Sequence, residues 1–173
     1  MVANKVEQLL AIAEQLKGEY YRLILLVGPA GSKKTEHLTL LSKLTAAPLI
    51  NINLELSRRM LDLTERRRSL YLPRMLAEVV DKAIGNAPED TIAARNNLIL
   101  LDNIEILFDV NLKQDPLRLL KGLSRNNTVV AAWNGVVERG RLTYAVPGHP
   151  EYRSYPISEI RVVSVNPEER KWR

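Results

Sequence analysis

The residues whose types and spacing best indicate chemistry follow the first strongly apolar run of the chain. Residues 22–27 predict a strand buried on both faces. The eight positions after it are Gly28, Pro29, Ala30, Gly31, Ser32, Lys33, Lys34 and Thr35. A phosphate-binding loop needs inward-pointing backbone N–H groups, a helix N-terminus, a lysine for the β- and γ-phosphates and a hydroxyl for Mg²⁺. Aligned with the Walker A pattern G-x-x-x-x-G-K-[ST], Gly28 is the first glycine, Lys34 the lysine and Thr35 the hydroxyl, which predicts a P-loop site for ATP and Mg²⁺.

Lys33 stands where that pattern has its second glycine. Glycine at this position lets the backbone approach a phosphate closely. A side chain either crowds the approach or adds a second cation that favours a polyphosphate, and the residue types leave both interpretations open. A lysine-rich turn between strand and helix, with no ligand, is the alternative to the whole site.

A second strand-end motif supplies the carboxylate that such a loop requires. Residues 98–101 are Leu-Ile-Leu-Leu and Asp102 follows them, as in the Walker B motif, whose carboxylate holds Mg²⁺, often through water. The additional-strand class of P-loop ATPases has a catalytic glutamate at the next position, which here is Asn103. An amide orients water but cannot accept its proton, so Glu105 is the nearby candidate base, with a solvated helix-start glutamate as the alternative. The sequence predicts ATP hydrolysis that is slow or depends on assembly.

Asn134 ends the apolar run of residues 129–133, where the same class places a polar sensor of the γ-phosphate. A turn-forming asparagine before Gly135 is the alternative. Gly28, Asp102 and Asn134 each follow a predicted buried strand. In a parallel sheet the carboxyl ends of the strands meet at one edge, and ligands bind outside that edge. The three residues are therefore expected to converge there.

The elements that must position these residues alternate between strands and helices, which predicts an α/β fold with right-handed crossovers. The expected sheet has five mainly parallel strands with helices on both faces, in a single domain over residues 1–173. The strands are predicted at residues 22–27, 48–52, 98–101, 129–133 and 160–165. The other predicted elements are an N-terminal helix within 1–18, a helix at 34–44, a helical excursion at 53–97, a helix at 116–123 and a projecting β-hairpin at 141–156. In the excursion, Ser57 suggests the cap of a first helix and Pro73 the first turn of a second.

Composition and charge narrow the class of protein without naming a partner. The 173 residues are 46% hydrophobic, and no apolar run reaches the ~18 residues of a membrane span, so a cytoplasmic protein with no membrane partner is expected. Cysteine is absent from the sequence, which excludes disulfides and thiolate metal sites. A net charge of +5 and a pI near 9.6 either favour a polyanion through counterion release or serve solubility alone.

Arginines concentrate on the helical excursion and form a candidate contact surface. They are Arg58, Arg59, Arg66, Arg67, Arg68 and Arg74. Such a row could grip the phosphates of DNA or RNA, but a solvated or subunit-contacting face is the favoured interpretation because acidic residues lie among the arginines. One arginine of this set, or Arg125, Arg139 or Arg141, is a candidate for a trans-acting finger on a neighbour's nucleotide.

Residues 142–152 combine aromatic, turn-forming and titratable residues. His149 and Glu151 suggest catalysis, but a single histidine between Gly148 and Pro150 more often belongs to a turn. Docking of a partner through tyrosines, which supply rigid contact area, is the favoured interpretation of this segment.

Four segments together resemble the BrxF family, the small P-loop proteins of type 3 BREX phage-defence systems in bacteria. They are the loop at 28–35 with the strand before it, residues 54–61 (Leu-Glu-Leu-Ser-Arg-Arg-Met-Leu), residues 100–108 (Leu-Leu-Asp-Asn-Ile-Glu-Ile-Leu-Phe) and residues 142–152. The resemblance spans nearly the whole chain. It implies an AAA+-like core and a role in bacteriophage exclusion beside a methyltransferase, a large ATPase and other defence proteins. A homo-oligomer, as a ring or filament, is an expectation from the AAA+ likeness.

The chain departs from the AAA+ pattern at Lys33 and Asn103, and no C-terminal helical lid is expected after the fifth strand. These departures favour a switch subunit of the BREX complex that binds ATP and Mg²⁺ over an efficient ATPase. A non-catalytic scaffold of the same complex is one alternative. A DNA-binding subunit that uses the arginine row is another.

Overall fold

The computed structural model describes residues 2–158 and 160–166. Its strands are β1 (Leu23–Gly28), β2 (Leu49–Asn51), β3 (Leu98–Asp102), β4 (Thr128–Asn134), β5 (Val136–Glu138), β6 (Arg141–Tyr144), β7 (Arg153–Pro156) and β8 (Arg161–Ser164). Its α-helices are α1 (Val2–Gln15), α2 (Lys34–Thr45), α3 (Ile52–Met60), α4 (Glu65–Gly85), α5 (Ile92–Asn96) and α6 (Pro116–Leu123). Two 3-10 helices, Ile104–Phe108 and Val110–Leu112, follow β3. The predicted single domain extends also over Met1, Glu159 and residues 167–173, which lie outside the described residues.

Five parallel strands form the main sheet in the order β2-β3-β4-β1-β8, and helices flank this sheet, so the predicted α/β architecture is confirmed. β1 lies between β4 and β8, with Leu25 opposite Ala131 on one side and Val162 on the other. β4 separates β1 from β3. Because all of these pairs are parallel, the carboxyl ends of β1, β3 and β4 lie at one edge.

Both faces of the main sheet are covered, which explains why its central strands are continuous apolar runs. In β1, Leu25 belongs to the core cluster that includes residues of α3, α4 and α6. Ile24 and Leu26 belong to the cluster formed with α1 and α2. Val6 and Leu9 of α1 enter that second cluster because they lie one turn apart on its apolar stripe. The sheet is the middle layer of three, so the loops at its edge are held from both sides.

The start of α3 corrects the sequence prediction. Asn51 caps this helix, because its side chain accepts a hydrogen bond from the backbone N–H of Leu54 at 3.1 Å. Ser57, the predicted cap, lies inside α3. The helix therefore begins directly after β2, and Asn51 serves both as the last residue of that strand and as the cap.

The start of α4 is a second correction. Its cap is Thr64, and Pro73 lies in the helix interior rather than in its first turn. A proline there has no N–H to offer the carbonyl four residues earlier, which belongs to Ser69. The side-chain amide of Gln114 donates to that carbonyl at 2.8 Å instead. The missing backbone bond is replaced, so α4 continues for 21 residues. Among the described residues, no helix has the length and apolar content needed to cross a bilayer.

β5, β6 and β7 form a separate antiparallel sheet in that order. β6 and β7 are the arms of the predicted 141–156 hairpin, and β5 is a strand that the sequence prediction lacked. The hairpin does not project, because Leu142 and Tyr144 are buried in the same cluster as Trp133. The indole N–H of Trp133 donates to the carbonyl of Thr143 at 3.0 Å, which fastens this small sheet to the end of β4.

Candidate functional site

Polar residues from three strand ends meet at the carboxyl edge of the main sheet. Gly28 at the end of β1 lies opposite Asn134 at the end of β4, and Asp102 at the end of β3 lies opposite Asn51. The backbone N–H of Gly135 donates to the carbonyl of Gly28 at 3.1 Å. The convergence that the sequence predicts is confirmed, and it follows from the parallel register of the strands.

The loop at residues 28–35 turns sharply from β1 into α2. Gly31 has a φ of +79° and Lys33 a φ of 64°, both in the left-handed region. The backbone N–H of Ser32 donates to the carbonyl of Pro29 at 3.2 Å. α2 starts at Lys34. Lys33, which occupies the N-cap position before it, makes no side-chain hydrogen bond to the helix. The first backbone N–H groups of this helix are thus left to bind an anion.

Gly28 is required by close packing at the point where the loop leaves the strand. A Cβ at this position would clash with the carbonyl oxygen of Val165 and would lie 2.5 Å from the hydroxyl of Ser32. Because the first of these neighbours is backbone, it cannot simply rotate away. The first glycine of the pattern is therefore explained by contact and needs no special φ.

Lys34 is tied to the loop that precedes it. The residue is 7% exposed, and its Nζ donates to the carbonyls of Gly28 at 2.8 Å and Pro29 at 2.7 Å and to the hydroxyl of Ser32 at 3.0 Å. Burial lowers the pKa of Lys34, and nearby carboxylates oppose that shift. The Lys34 ammonium group thus links three residues of the loop, Gly28, Pro29 and Ser32, by hydrogen bonds.

Thr35 and Asp102 form the second contact of the site. The hydroxyl of Thr35 donates to Oδ2 of Asp102 at 2.6 Å, and the backbone N–H of Asn103 donates to Oδ1 at 2.9 Å. Among the described residues, no group of three or more His, Cys, Asp or Glu side chains is close enough to hold a metal ion unaided. A hydroxyl beside a carboxylate nevertheless fits Mg²⁺, which commonly takes one or two protein ligands and completes its shell with water and phosphate oxygens.

Glu105 and Asn134 form the third contact. Nδ2 of Asn134 donates to Oε1 of Glu105 at 2.6 Å, so the structure joins two of the three residues predicted for the γ-phosphate or water. Asn103, the other one, is exposed, and its φ of 52° places it in the left-handed region. Asn103 contributes to the site through its backbone. Its N–H donates to Asp102, and its carbonyl accepts from the N–H of Asn53 at 3.0 Å.

His37 is a residue of the site that sequence reasoning did not assign. It is 4% exposed, and its Nδ1 lies 2.7 Å from the carbonyl of Lys33. A carbonyl only accepts, so Nδ1 carries the proton and donates. This bond supports the left-handed backbone at Lys33, whose side chain is exposed. His37 follows Lys33 by four residues at the start of α2, and this spacing of about one helical turn is the sequence signal for their contact.

A cleft of about 400 Å³ lies between the loop and the antiparallel sheet, with Ala30 and Asn134 on one side and Val146 on the other. Tyr144 also lines this cleft, and its ring stacks on Phe108 with the ring centroids 3.5 Å apart. Burial, reinforced by nearby carboxylates, raises the pKa of Tyr144 to about 12. This tyrosine therefore packs inward, whereas the prediction for residues 142–152 made tyrosines a docking surface.

His149 and Glu151 lie on the same cleft. The backbone N–H of Glu151 donates to Nδ1 of His149 at 3.0 Å. The histidine thus closes a turn within the β6–β7 connection, as the sequence favoured.

The predicted arginine row divides into engaged and exposed members. Nε of Arg68 donates to the carbonyls of Met60 and Leu63, both at 3.0 Å, which fixes the turn between α3 and α4. Arg59 lies 3.6 Å from Glu78 in an ion pair. Arg74 is exposed and pairs with the same Glu78 at 3.0 Å. Arg58, Arg66 and Arg67 are the other exposed members.

Comparisons of the chain with protein-family models, with curated proteins and with solved structures find no match in any of the three. The contacts of the site itself are therefore the basis for a proposed function of the chain. These are a lysine enclosed by its own loop, a hydroxyl–carboxylate pair and an amide–carboxylate pair, all at the carboxyl edge of a parallel sheet.

Proposed function

We propose that the chain is a P-loop protein of the additional-strand class that binds ATP with Mg²⁺ at residues 28–35. The observation that carries the proposal is the pairing of Thr35 with Asp102 at 2.6 Å beside the enclosed ammonium group of Lys34. In a P-loop site, the lysine reaches the phosphates and the hydroxyl meets the metal ion that bridges them. Lys34 and Thr35 are consecutive residues, and Asp102 reaches Thr35 from the end of β3.

The order of the main sheet supports the additional-strand class. β4 lies between β1, which leads into the loop, and β3, which ends in Asp102. A strand inserted between the loop strand and the carboxylate strand is what gives that class its name. The same strand ends in Asn134, so the insertion brings a polar side chain to the phosphate end of the site.

Each residue has a defined task under this proposal. The N–H groups at the start of α2 and the Lys34 ammonium bind phosphate oxygens. Thr35 would offer a lone pair of its hydroxyl to Mg²⁺ while the hydroxyl continues to donate its hydrogen bond to Oδ2 of Asp102, as it does in the structure. Mg²⁺, when bound, neutralises charge on the phosphates. Lys33 keeps the backbone geometry of a glycine while its exposed side chain adds a cation to the surface of the site.

The contact between Asn134 and Glu105 supports our proposal that ATP hydrolysis is slow or depends on assembly. Oε1 of Glu105, the candidate base near Asp102 among the described residues, accepts a bond from Asn134 at 2.6 Å, so this oxygen is a weaker acceptor for a proton from water. We propose that Asn134 turns its amide from Glu105 toward a γ-phosphate that binds beside it. We therefore propose a binding switch, in which the γ-phosphate and Glu105 compete for the same amide.

The biological setting that we propose rests on the resemblance to the BrxF family. In that setting the chain is the nucleotide-binding switch subunit of a bacterial BREX complex, with other defence proteins as partners and homo-oligomers as a further assembly. Lys33, which stands in place of the second glycine of the pattern, has the left-handed backbone that a glycine adopts readily, which supports the same loop path with an added cation.

A non-catalytic scaffold of the same complex is the second candidate. Lys34, Thr35 and Asp102 are satisfied by one another and by the loop without any ligand. A loop that is complete in this way does not need nucleotide in order to fold. The scaffold hypothesis predicts a melting temperature that ATP leaves unchanged, whereas a ligand at 100 times its Kd adds about 2.7 kcal/mol to the free energy of unfolding.

Isothermal titration calorimetry with ATP and Mg²⁺ tests the proposal. We expect binding by the wild-type chain and a loss of affinity on the order of 100-fold, about 2.7 kcal/mol, in Lys34→Ala, because charge-assisted bonds to phosphate are lost. Lys43→Ala is the matched control, since Lys43 lies exposed on the same helix. Absence of binding by the wild-type chain, or equal affinity of the two variants, would contradict the proposal and leave the scaffold.

Release of inorganic phosphate separates a switch from an ATPase. We expect slow turnover at saturating ATP, with further loss in Glu105→Gln because the amide accepts no proton from water. A rapid turnover that Glu105→Gln leaves unchanged would contradict the role given to Glu105.

A further inference from the structure

The amino-terminal end of β1, which lies about 20 Å along the strand from the loop, carries a second concave surface. Two clefts of about 410 and 490 Å³ adjoin there, and Tyr21, Lys121 and Ser158 line both of them. We call these two clefts and the adjacent Tyr20 the amino-end surface. It shares no residue with the site at residues 28–35.

Cations outnumber carboxylates on this surface among the described residues. Arg161 lines the first cleft, Arg118 and Arg125 line the second, and Lys121 lines both. The carboxylates that line the clefts are Glu19 and Asp115.

Asp115 is also occupied within the protein. Its Oδ1 accepts from the hydroxyl of Tyr155 at 2.9 Å and from the backbone N–H of Arg118 at 3.3 Å, which caps α6. These donors are neutral, so Asp115 keeps its negative charge, and the cations that line the clefts still exceed the carboxylates by two.

Two aromatic rings stand among these cations. Tyr20 is 61% exposed, and its ring meets that of Tyr21 edge to face with the centroids 4.7 Å apart. The guanidinium carbon of Arg125 lies 5.0 Å from the centroid of Tyr20, and the ammonium nitrogen of Lys121 lies 5.7 Å from that of Tyr21. In contacts of this kind the cation lies over one face of the ring.

Rigid elements hold the rings and the cations together. The backbone N–H of Arg22 donates to the carbonyl of Ser124 at 3.0 Å, which joins the tyrosine segment to the end of α6. β1 begins one residue later and pairs with β4 and β8. The tyrosines, the cations of α6 and Arg161 at the start of β8 are therefore parts of one framework.

We propose that the amino-end surface binds single-stranded nucleic acid. Phosphates would lie against Arg118, Arg125 and Arg161, and unpaired bases would stack on Tyr20 and Tyr21. Stacking on exposed rings within a positively charged groove is how proteins hold single strands without reading their sequence. In a duplex the base faces are covered by their neighbours, so the rings would have nothing to stack on. An acidic protein would satisfy the charges but would leave the rings unused.

Fluorescence anisotropy with labelled oligonucleotides tests the proposal. The probes are single strands of about 20 thymidines or 20 uridines, a DNA duplex of the same length, and polyglutamate, at roughly 50 and 200 mM salt. We expect the single strands to bind more tightly than either the duplex or polyglutamate. With three phosphate contacts, at Arg118, Arg125 and Arg161, the affinity should fall roughly 20-fold between the two salt concentrations. The thymidine and uridine arms distinguish DNA from RNA as the source of the strand.

Substitution of the rings separates stacking from charge. Tyr20→Ala with Tyr21→Ala should weaken single-strand binding about 10- to 100-fold, because each stacked base contributes separately. Tyr20→Phe with Tyr21→Phe keeps both rings and should restore binding to within about threefold of wild type. A phenylalanine pair as weak as the alanine pair would contradict stacking.

Substitution of the cations tests the location. Arg118→Ala, Arg125→Ala and Arg161→Ala together should reduce the slope of log affinity against log salt by about 2. The matched control removes the same charge from α3 and α4 through Arg58→Ala, Arg66→Ala and Arg67→Ala, and should change the affinity by no more than about twofold. Circular dichroism melting establishes that each variant is folded.

Several outcomes would overturn the proposal. One is that the wild-type chain binds neither single strand, and another is that the control triple variant loses as much affinity as the cleft variant. A preference for the duplex would also overturn it. So would polyglutamate binding that is as tight as strand binding and unaffected by the tyrosine substitutions. The last of these would assign the surface to an acidic protein. Because the probes carry no nucleoside triphosphate, every outcome is independent of the ATP titration.

Discussion

The two ends of β1 hold their polar residues in opposite ways. At the carboxyl end, Lys34 and Asp102 are buried and bonded to neighbours at fixed distances. At the amino end, Tyr20 and Arg125 are exposed, and the guanidinium group of Arg125 lies over the ring of Tyr20. A buried, fully bonded arrangement suits a ligand of one geometry, whereas exposed rings and charges suit a ligand defined only by charge and flat faces. Burial of the polar groups, more than their number, therefore sets how specific each of these two sites is for its ligand.

The backbone differs between the two ends as well. Gly31, Lys33 and Asn103 all have positive φ beside the carboxyl-end contacts. Strained residues of this kind persist where surrounding contacts fix them, and they concentrate at functional sites. The amino end is built instead from regular strand and helix termini. Substitutions should therefore change stability strongly at one end and weakly at the other.

The largest expected effect is that of Gly28→Ala. The added methyl group meets the carbonyl of Val165 and the side chain of Ser32, so we expect a loss of about 3 kcal/mol in the free energy of unfolding, measured by urea denaturation. Gly85→Ala is the control, because its Cβ meets nothing within 4 Å. If both variants were equally stable, the carboxyl end would not be tightly packed.

Asp102→Ala is expected to be next in size. Its removal leaves the hydroxyl of Thr35 and the backbone N–H of Asn103 without their acceptor, and we expect a loss of about 2 kcal/mol by urea denaturation. Asp81→Ala, at an exposed position of α4, should change stability by less than about 0.5 kcal/mol. Equal effects of the two would mean that the carboxyl-end bonds add nothing to stability.

Lys33→Gly should act in the opposite direction. Glycine adopts the φ of 64° found here without steric strain, so we expect a gain of about 1 kcal/mol. The same change at Lys43, within α2, should cost about 0.5–1 kcal/mol, because glycine weakens a helix. Urea denaturation of the two variants should therefore give shifts of opposite sign, and shifts of the same sign would remove the argument for strain at Lys33.

The smallest effect is expected at the amino end. Tyr20→Ala removes a ring that is 61% exposed, so stability should change by less than about 0.5 kcal/mol. Tyr144→Ala removes the same ring from the core beside Phe108 and should cost roughly 3 kcal/mol. A large loss in Tyr20→Ala would show by thermal melting that the amino end is structural, and would weaken the contrast between the two ends.

Local sequence patterns located most of the elements of the main sheet. The apolar runs before Gly28, Asp102 and Asn134 predicted β1, β3 and β4, because a strand buried on both faces leaves no polar position in its sequence. β5 was missed because Val136–Glu138 is short and is defined only by its partner β6. The starts of α3 and α4 were misplaced because Ser57 and Pro73 look like helix-start residues. Such residues also occur inside helices when other residues supply the cap or the replacement bond.

The candidate site could be predicted as far as it depends on strand ends and on one contiguous loop. Asp102 followed from its position directly after an apolar run, and Lys34 and Thr35 followed from their spacing after Gly28. The contact between Glu105 and Asn134 joins residues that are 29 positions apart, and no periodicity in the sequence relates them. The bond between His37 and Lys33 was within reach of the sequence, because its spacing is that of one helical turn.

The sequence by itself determined which residues stand at the carboxyl edge, because chain direction and hydrophobic runs are local properties. Only the tertiary structure decided what those residues contact, whether Lys33 has the backbone of a glycine, and that Tyr20, Arg118 and Arg161 share one surface. The physical reason is that side-chain contacts depend on sheet register and helix packing. Both are set by burial over the whole chain, and no short segment contains that information.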